Sequence, residues 1–253
     1  MQYLGLYSYP RSGSNWLRLI MYGLLTGGKR TKRWECSRDF PHLTSADLAR
    51  AKTFRLPTGE SVQGYKCHDS NIVYDIEGEF LDTRYYFYIS RHPLDVFFSY
   101  MKFMHYKSGY QDRFILPLLS VDELVENGSI RYFLDTFLNT GRLDIEHREV
   151  GSWWSTTTYW MQMAERHSNI IYIKYEDLCS NPFETLQPIV DILGGDRDVV
   201  ENVFRHVDQL TKTDGKFFWK RRAGTYKDYL DDDALDEIKR RFGAPLAERG
   251  YAL

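Results

Sequence analysis

Leu4-Gly5-Leu6-Tyr7-Ser8-Tyr9-Pro10-Arg11-Ser12-Gly13-Ser14-Asn15-Trp16 is the stretch on which the reading of this chain turns. Apolar residues run up to Tyr7 and predict a short buried strand. Pro10, Gly13 and the small polar residues then make a tight turn. From Trp16 onward, Trp16, Leu17, Ile20, Met21 and Leu24 recur on one face of a helix. Strand, glycine-containing loop and helix are the layout of an anion site, because the free N–H groups of the first helical turn and the helix dipole both favour negative charge there. Arg11 adds a permanent cation with a planar fork of donors, and Ser12, Ser14 and Asn15 add short polar groups. The stretch reads as a phosphate cradle. The Walker pattern Gly-x-x-x-x-Gly-Lys-Ser/Thr is absent from it, so the loop is not the usual magnesium-nucleotide one. An ordinary strand–helix turn carrying a surface arginine is the plainer alternative.

Working outward, 253 residues suit one α/β domain with a large core. A formal net charge of −2 gives no global field that would call for a nucleic acid. The chain is rich in aromatics, with 19 Tyr and 15 Phe, enough to line an apolar pocket as well as a core. Cys36, Cys67 and Cys179 are too far apart for a metal-type pair or a disulfide framework, which points to a reducing compartment. No leader pattern and no run of about 18 apolar residues is seen, so a soluble, cytoplasmic protein without membrane insertion is expected.

Strand and helix signals alternate along the rest of the chain. Ser61–Cys67 reads as a second strand, ending on Lys66-Cys67-His68. Lys66 and His68, two apart, share a face and project into the crevice where open α/β sheets bind ligands. Residues 29–43 read as polar and irregular, and Thr44-x-x-Asp47 as the capping box of a short helix over 45–52. Arg84–Ser90 is a third strand. Arg91-His92-Pro93 follows it, then a helix bearing Leu94, Phe97, Phe98, Met101 and Met104, with Ser99 eight residues after Arg91. Residues 105–150 interrupt the alternation, as a lid or acceptor wall or as helical scaffold. A helix opens at Gly151-Ser152-Trp153 and runs to about His167, and Asn169–Lys174 is a fourth strand. Helices then run from Asn181-Pro182 to Gly194 and over 197–207, a long loop covers 211–230, and the last helix spans Asp231–Phe242.

Set in order, these segments resemble the cytosolic-type sulfotransferases that use 3′-phosphoadenosine 5′-phosphosulfate (PAPS). The resemblance covers residue 3 to about 230. Tyr9-Pro10-Arg11-Ser12-Gly13-Ser14-Asn15-Trp16 is similar to the family's 5′-phosphosulfate loop, Tyr-Pro-Lys-Ser-Gly-Thr-Thr-Trp. Lys66-Cys67-His68 resembles its Lys-Thr-His, and Arg91 with Ser99 its 3′-phosphate motif. Gly151-Ser152-Trp153 with Trp160, and Tyr175-Glu176-Asp177-Leu178, match two further segments. Departures are the loop lysine, which is Arg11 here, and the late motif, which reads Lys220-Arg221-Arg222-Ala223-Gly224-Thr225-Tyr226-Lys227 with its first glycine missing or its loop shortened. Either Arg221 or Arg222 can therefore be the one that meets the 3′-phosphate. Thr156 stands near the place where the family often has a histidine.

The resemblance implies a single domain, 1–253, with a central, mainly parallel β-sheet flanked by helices. It implies in-line transfer of a sulfuryl group from PAPS to a hydroxyl or amine of a small-molecule acceptor, leaving adenosine 3′,5′-bisphosphate (PAP), with no metal. His68 is expected as general base, Lys66 on the sulfuryl oxygens, and Arg11 on the leaving phosphate. Ser12, Gly13, Ser14 and Asn15 are expected around the 5′ end, and Arg91, Ser99 and the run Arg221, Arg222, Ala223, Gly224 around the 3′-phosphate. Trp16 and Tyr175 are expected to flank the adenine. Two other readings remain: a P-loop-type nucleotide kinase or NTPase, which needs a magnesium carboxylate at a strand end where this chain has Arg91-His92, and a PAPS- or PAP-binding module without turnover.

Overall fold

The computed structural model describes residues 1–29, 32–106, 119–142, 150–212 and 222–253. The chain opens with β1 (Gln2–Ser8) and α1 (Ser14–Leu25), as the opening stretch predicts. Next come α2 (Arg33–Asp39), α3 (Ser45–Leu48), β2 (Thr53–Arg55), β3 (Ser61–Cys67), a small hairpin of β4 (Asp75–Ile76) and β5 (Glu79–Phe80), and β6 (Asp82–Ser90). Helices α4 (Pro93–Tyr106), α5 (Val121–Glu126), α6 (Ile130–Thr140) and α7 (Trp153–Arg166) lead to β7 (Ile170–Lys174). The chain ends with α8 (Tyr175–Ser180), α9 (Pro182–Leu193), α10 (Arg197–Lys212), a 3-10 turn (Thr225–Asp228) and α11 (Asp232–Ala247).

Three expectations need correction. Residues 29–43 are not all irregular, since α2 lies among them. The Thr44 cap is real, its hydroxyl accepting from the Asp47 N–H at 3.1 Å, but the helix it starts stops at Leu48. The last helix continues five residues past Phe242, carrying Pro245 inside it. Part of the long 211–230 loop, including Arg221, lies outside the described residues, as do 107–118 and 143–149.

The main sheet has the order β2-β3-β1-β6-β7. β1 pairs parallel with both β3 and β6, and β6 parallel with β7; only the edge strand β2 is antiparallel. Successive connections therefore leave β1 in opposite directions, which makes its carboxyl end a topological switch point, the usual ligand crevice of open α/β sheets. Tyr7 is level with Cys67, Ser8 with Ile89, and Ser90 with Lys174, so the loops after all four parallel strands meet at one edge.

Strand alternation divides the core by residue type. Leu4, Leu6, Val62, Phe87, Ile89 and Ile173 face α1, α9 and α10 in one cluster. Tyr7, Tyr65, Tyr86 and Tyr88 face the other way, onto Trp160 of α7. The buried hydroxyls on that face satisfy one another, Tyr7 to Tyr65 at 2.9 Å and Tyr65 to Thr83 at 2.9 Å. Much of the tyrosine content is thus core. In the described part of 105–150, Leu124, Ile130, Leu134, Phe137 and Leu138 pack with Phe97, Phe98 and Trp153 in a further cluster.

Gly64 in β3 lies flat against Phe40, and a Cβ there would run into the ring. Phe40 is fully buried and has nowhere to go. Gly64→Ala is expected to destabilise the fold by about 1–3 kcal/mol through overpacking. A urea midpoint equal to that of the native protein would show that Phe40 can yield.

Candidate active site

The loop between β1 and α1 is held in two left-handed residues, Arg11 (φ 70) and Gly13 (φ 101). Such a conformation costs a non-glycine residue of order 1 kcal/mol or more and is typical of ligand-binding turns. Gly13 is also the N-cap of α1, and its α-carbon faces Tyr175 so closely that a Cβ would stand 2.6 Å from the ring. No side chain caps the helix there. The Trp16 N–H donates to the Gly13 carbonyl at 2.9 Å, which leaves the N–H groups of Ser14 and Asn15 to a ligand. Ser12 is fully buried, and its hydroxyl makes no hydrogen bond to the described residues. A buried, unsatisfied hydroxyl at a helix N-terminus is a group awaiting an acceptor.

At the neighbouring strand end, Lys66 is 3% exposed, and its ammonium donates to Asn15 Oδ1 at 3.2 Å. Asn15, in the first turn of α1, thus acts as an acceptor for Lys66. His68 is half-buried, and its Nδ1–H donates to the Ser8 carbonyl at 2.8 Å, with Ser8 Oγ 3.2 Å away. That bond fixes the tautomer, so Nε2 carries the lone pair. Desolvation, then the Lys66 cation, push the His68 pKa well below its ordinary value and keep the ring neutral. Cys67 points away and donates to Asp69 at 3.0 Å, and its thiol is pushed above its usual range by burial, so it is no nucleophile.

Arg91 closes the site from the other side of β1. Its guanidinium lies 4.3 Å over the Tyr175 ring, donates to the Arg222 carbonyl at 3.2 Å, and stands 3.5 Å from Asp95. Its Nε is buried without a hydrogen-bond partner among the described residues. Ser99 Oγ accepts from Arg11 Nε at 3.2 Å, which ties the first loop to α4, and Arg11 also stacks 4.6 Å from Phe103. Burial and the nearby Arg91 lower the Arg11 pKa to about 10. Trp16 and Tyr175 meet edge to face, centroids 5.6 Å apart, forming one aromatic wall rather than two separated leaves.

The 222–228 turn is organised by a residue given no role from the sequence. Asp95, fully buried on α4, accepts from Gly224 N at 2.9 Å, Thr225 Oγ1 at 2.7 Å and Tyr226 N at 3.1 Å. This brings Ala223 and Gly224 beside Arg91. The Arg222 side chain, by contrast, pairs with Asp228 and is 54% exposed, so in this structure its backbone rather than its guanidinium faces Arg91. The signal for Asp95 was present in Arg91-His92-Pro93-Leu94-Asp95, but a lone aspartate one turn into a helix reads as an ordinary first-turn acid. Its partners lie about 130 residues away.

Half-buried Arg11 and buried Lys66 and Arg91 stand at one sheet edge, with Arg18 behind them at 8% exposure. Mutual repulsion shows in Lys66, whose pKa is lowered well below its ordinary value by burial and then by Arg18 and Arg11. Such a cluster, with an unsatisfied hydroxyl and an unsatisfied guanidinium nitrogen in it, fits a polyanion with two separated charged ends. Among the described residues, no group of three or more His, Cys, Asp and Glu is placed to hold a metal ion.

Sequence and structure comparisons agree with this geometry. A family model described as "Sulfotransferase domain" matches residues 4–250. Sulfotransferase 1A1 of Rattus norvegicus is 24% identical over 207 residues, 79% of this chain and 62% of that protein, so the chain spans less than two thirds of that relative. Flavonol 3-sulfotransferase of Flaveria bidentis is 20% identical over 288 residues, 97% of this chain and 82% of the plant protein. Among solved structures, a mouse sulfotransferase complexed with PAP shares the fold at TM-score 0.62 and 17% identity, covering 98% of this chain and 84% of its own. Retinol dehydratase in complex with androsterone and PAP does so at TM-score 0.62 and 14% identity, covering 99% and 82%. A glycine-containing strand–loop–helix at the switch point of a mainly parallel sheet, with a histidine beside it, is the ligand-crevice architecture of an open α/β fold. The chain belongs to the sulfotransferase domain family.

Proposed function

We propose that the protein moves the sulfuryl group of PAPS to a hydroxyl or amine of a small-molecule acceptor, with His68 as general base. The observation that carries this reading is the His68 tautomer. Its Nδ1–H is committed to the Ser8 carbonyl at 2.8 Å, so a neutral Nε2 stands ready beside the phosphate loop. PAPS, when bound, supplies an activated sulfuryl group whose departure leaves PAP. Arg11, the Ser12 hydroxyl, and the first-turn N–H groups of Ser14 and Asn15 hold the 5′ end and stabilise the charge that develops there. Lys66 serves the sulfuryl side. Arg91, with Ser99 and the backbone of 222–224, holds the 3′-phosphate, while Trp16 and Tyr175 offer the adenine an aromatic wall. His68 Nε2 takes the acceptor's proton. Positioning and charge supply most of the rate, as in phosphoryl transfer.

The reading extends to one domain over 1–253, with 105–150 contributing to the acceptor side, and to a cytoplasmic location. Three cysteines spaced as widely as Cys36, Cys67 and Cys179 suit a reducing compartment. No helix among the described residues is long and apolar enough to cross a membrane.

Calorimetric titration with PAP and with AMP, both without magnesium, tests the two-phosphate site. PAP is expected to bind on the order of 100-fold more tightly, since the 3′-phosphate gains charge-assisted bonds that AMP cannot make. Equal affinities would reduce Arg91 to scaffold. Sulfate transfer from labelled PAPS across an acceptor panel then separates an enzyme from a binding module.

A further inference from the structure

His42 belongs to none of the motifs considered so far, yet it stands against the reacting edge. Residues 41–43 run beside the end of β3. The Lys66 N–H donates to the Pro41 carbonyl and the Leu43 N–H to the Lys66 carbonyl, both at 2.8 Å, with His42 level with Lys66 in a parallel bridge. The backbone thus fixes the imidazole next to the lysine. Lys66 Nζ lies 3.5 Å from His42 Nε2 and 3.2 Å from Asn15 Oδ1. The His42 and His68 rings are 5.9 Å apart.

An ammonium has three hydrogens and no lone pair. Facing it, His42 Nε2 acts as an acceptor, so the His42 proton sits on Nδ1. The ring is neutral at physiological pH: its pKa falls to about 4 through desolvation and the charges of Lys66 and Arg18, opposed by Asp47. Two neutral acceptors, Asn15 and His42, therefore take two of the Lys66 hydrogens and leave the third for a ligand oxygen. The buried cation is aimed without being neutralised, as a paired carboxylate would neutralise it.

We propose that His42 is a positioning residue for sulfuryl transfer, holding with Asn15 the Lys66 ammonium at the edge of the cradle beside His68. The proposal rests on the role given to Lys66 above. A phenylalanine at 42 would keep the ring and lose the acceptor nitrogen. A glutamine would keep an acceptor at about the reach of Nε2.

Two measurements test it. The first needs no ligand. Histidine ring NMR is expected to show His42 as the Nδ1–H tautomer, and Lys66→Met is expected to raise its pKa, with desolvation and Arg18 still holding it below the ordinary histidine value. A His42 titration unmoved by Lys66→Met would overturn the proposal. The second measures affinity for PAPS and for PAP by calorimetry. His42→Phe is expected to weaken PAPS about tenfold relative to PAP, the loss of one charged hydrogen bond, and His42→Gln to recover most of it. Unchanged PAPS-to-PAP ratios in both variants, or equal losses in both, would also overturn it. If native protein binds neither nucleotide, it is the sulfotransferase reading that fails, and the ligand-free titration still decides whether His42 holds Lys66.

Discussion

His68→Ala is expected to lower kcat by about 100- to 10,000-fold, the usual loss when a general base is removed, with PAP affinity unchanged. The two effects separate because the hydrogen bonds of His68 go to Ser8 at the end of β1 and not to Arg11, Ser12 or Arg91. The pH profile carries a second mark. The base works only when neutral, and desolvation with the Lys66 cation favours the neutral form. Its acid limb should therefore fall below the ordinary histidine pKa of 6.5, with activity held as pH drops through that value. A limb at or above 6.5, or turnover in His68→Ala equal to that of the native enzyme, would assign the base elsewhere.

Arg91→Met should cost about 10- to 100-fold in PAP affinity and little in AMP affinity, the scale of one or two charged hydrogen bonds. The arginine is aimed before any ligand arrives. Tyr175 supports its face, the Arg222 carbonyl takes one hydrogen, Asp95 stands at its side, and Nε is left unsatisfied. Removing it leaves Asp95 still accepting from Gly224, Thr225 and Tyr226, so the turn keeps its anchor and the variant should fold. Calorimetry with both nucleotides, beside thermal unfolding, reads the result. An equal loss for PAP and AMP would mean that Arg91 only supports the fold.

The fold was legible where a local pattern determined it. The run from Leu4 to Trp16 carries its own strand, turn and helix signals, and β6 and β7 carry continuous apolar and aromatic runs, Tyr85–Ile89 and Ile170–Ile173, as strands covered on two sides do. The elements that escaped have little local signal. β2 has three residues, too few for alternation to show. α2 buries only Cys36 and Asp39, so a helix that is mostly polar looked like loop. In the site, Lys66 and His68 could be paired from spacing alone. The roles of Asp95 and His42 could not, because each is defined by a partner brought up from another segment. Backbone pairing, not sequence proximity, sets His42 beside Lys66.

The clamp made by Asp95 ties residues 129 to 131 positions apart. Contacts of such sequence separation form late, after the entropy of closing a long loop has been overcome. During synthesis the first cradle, from β1 into α1, leaves the ribosome long before Gly224 does. On the proposed reading, the 3′ end of the site is complete only once the 222–228 turn reaches Asp95, so telling a 3′-phosphate from none depends on a contact that closes late in synthesis.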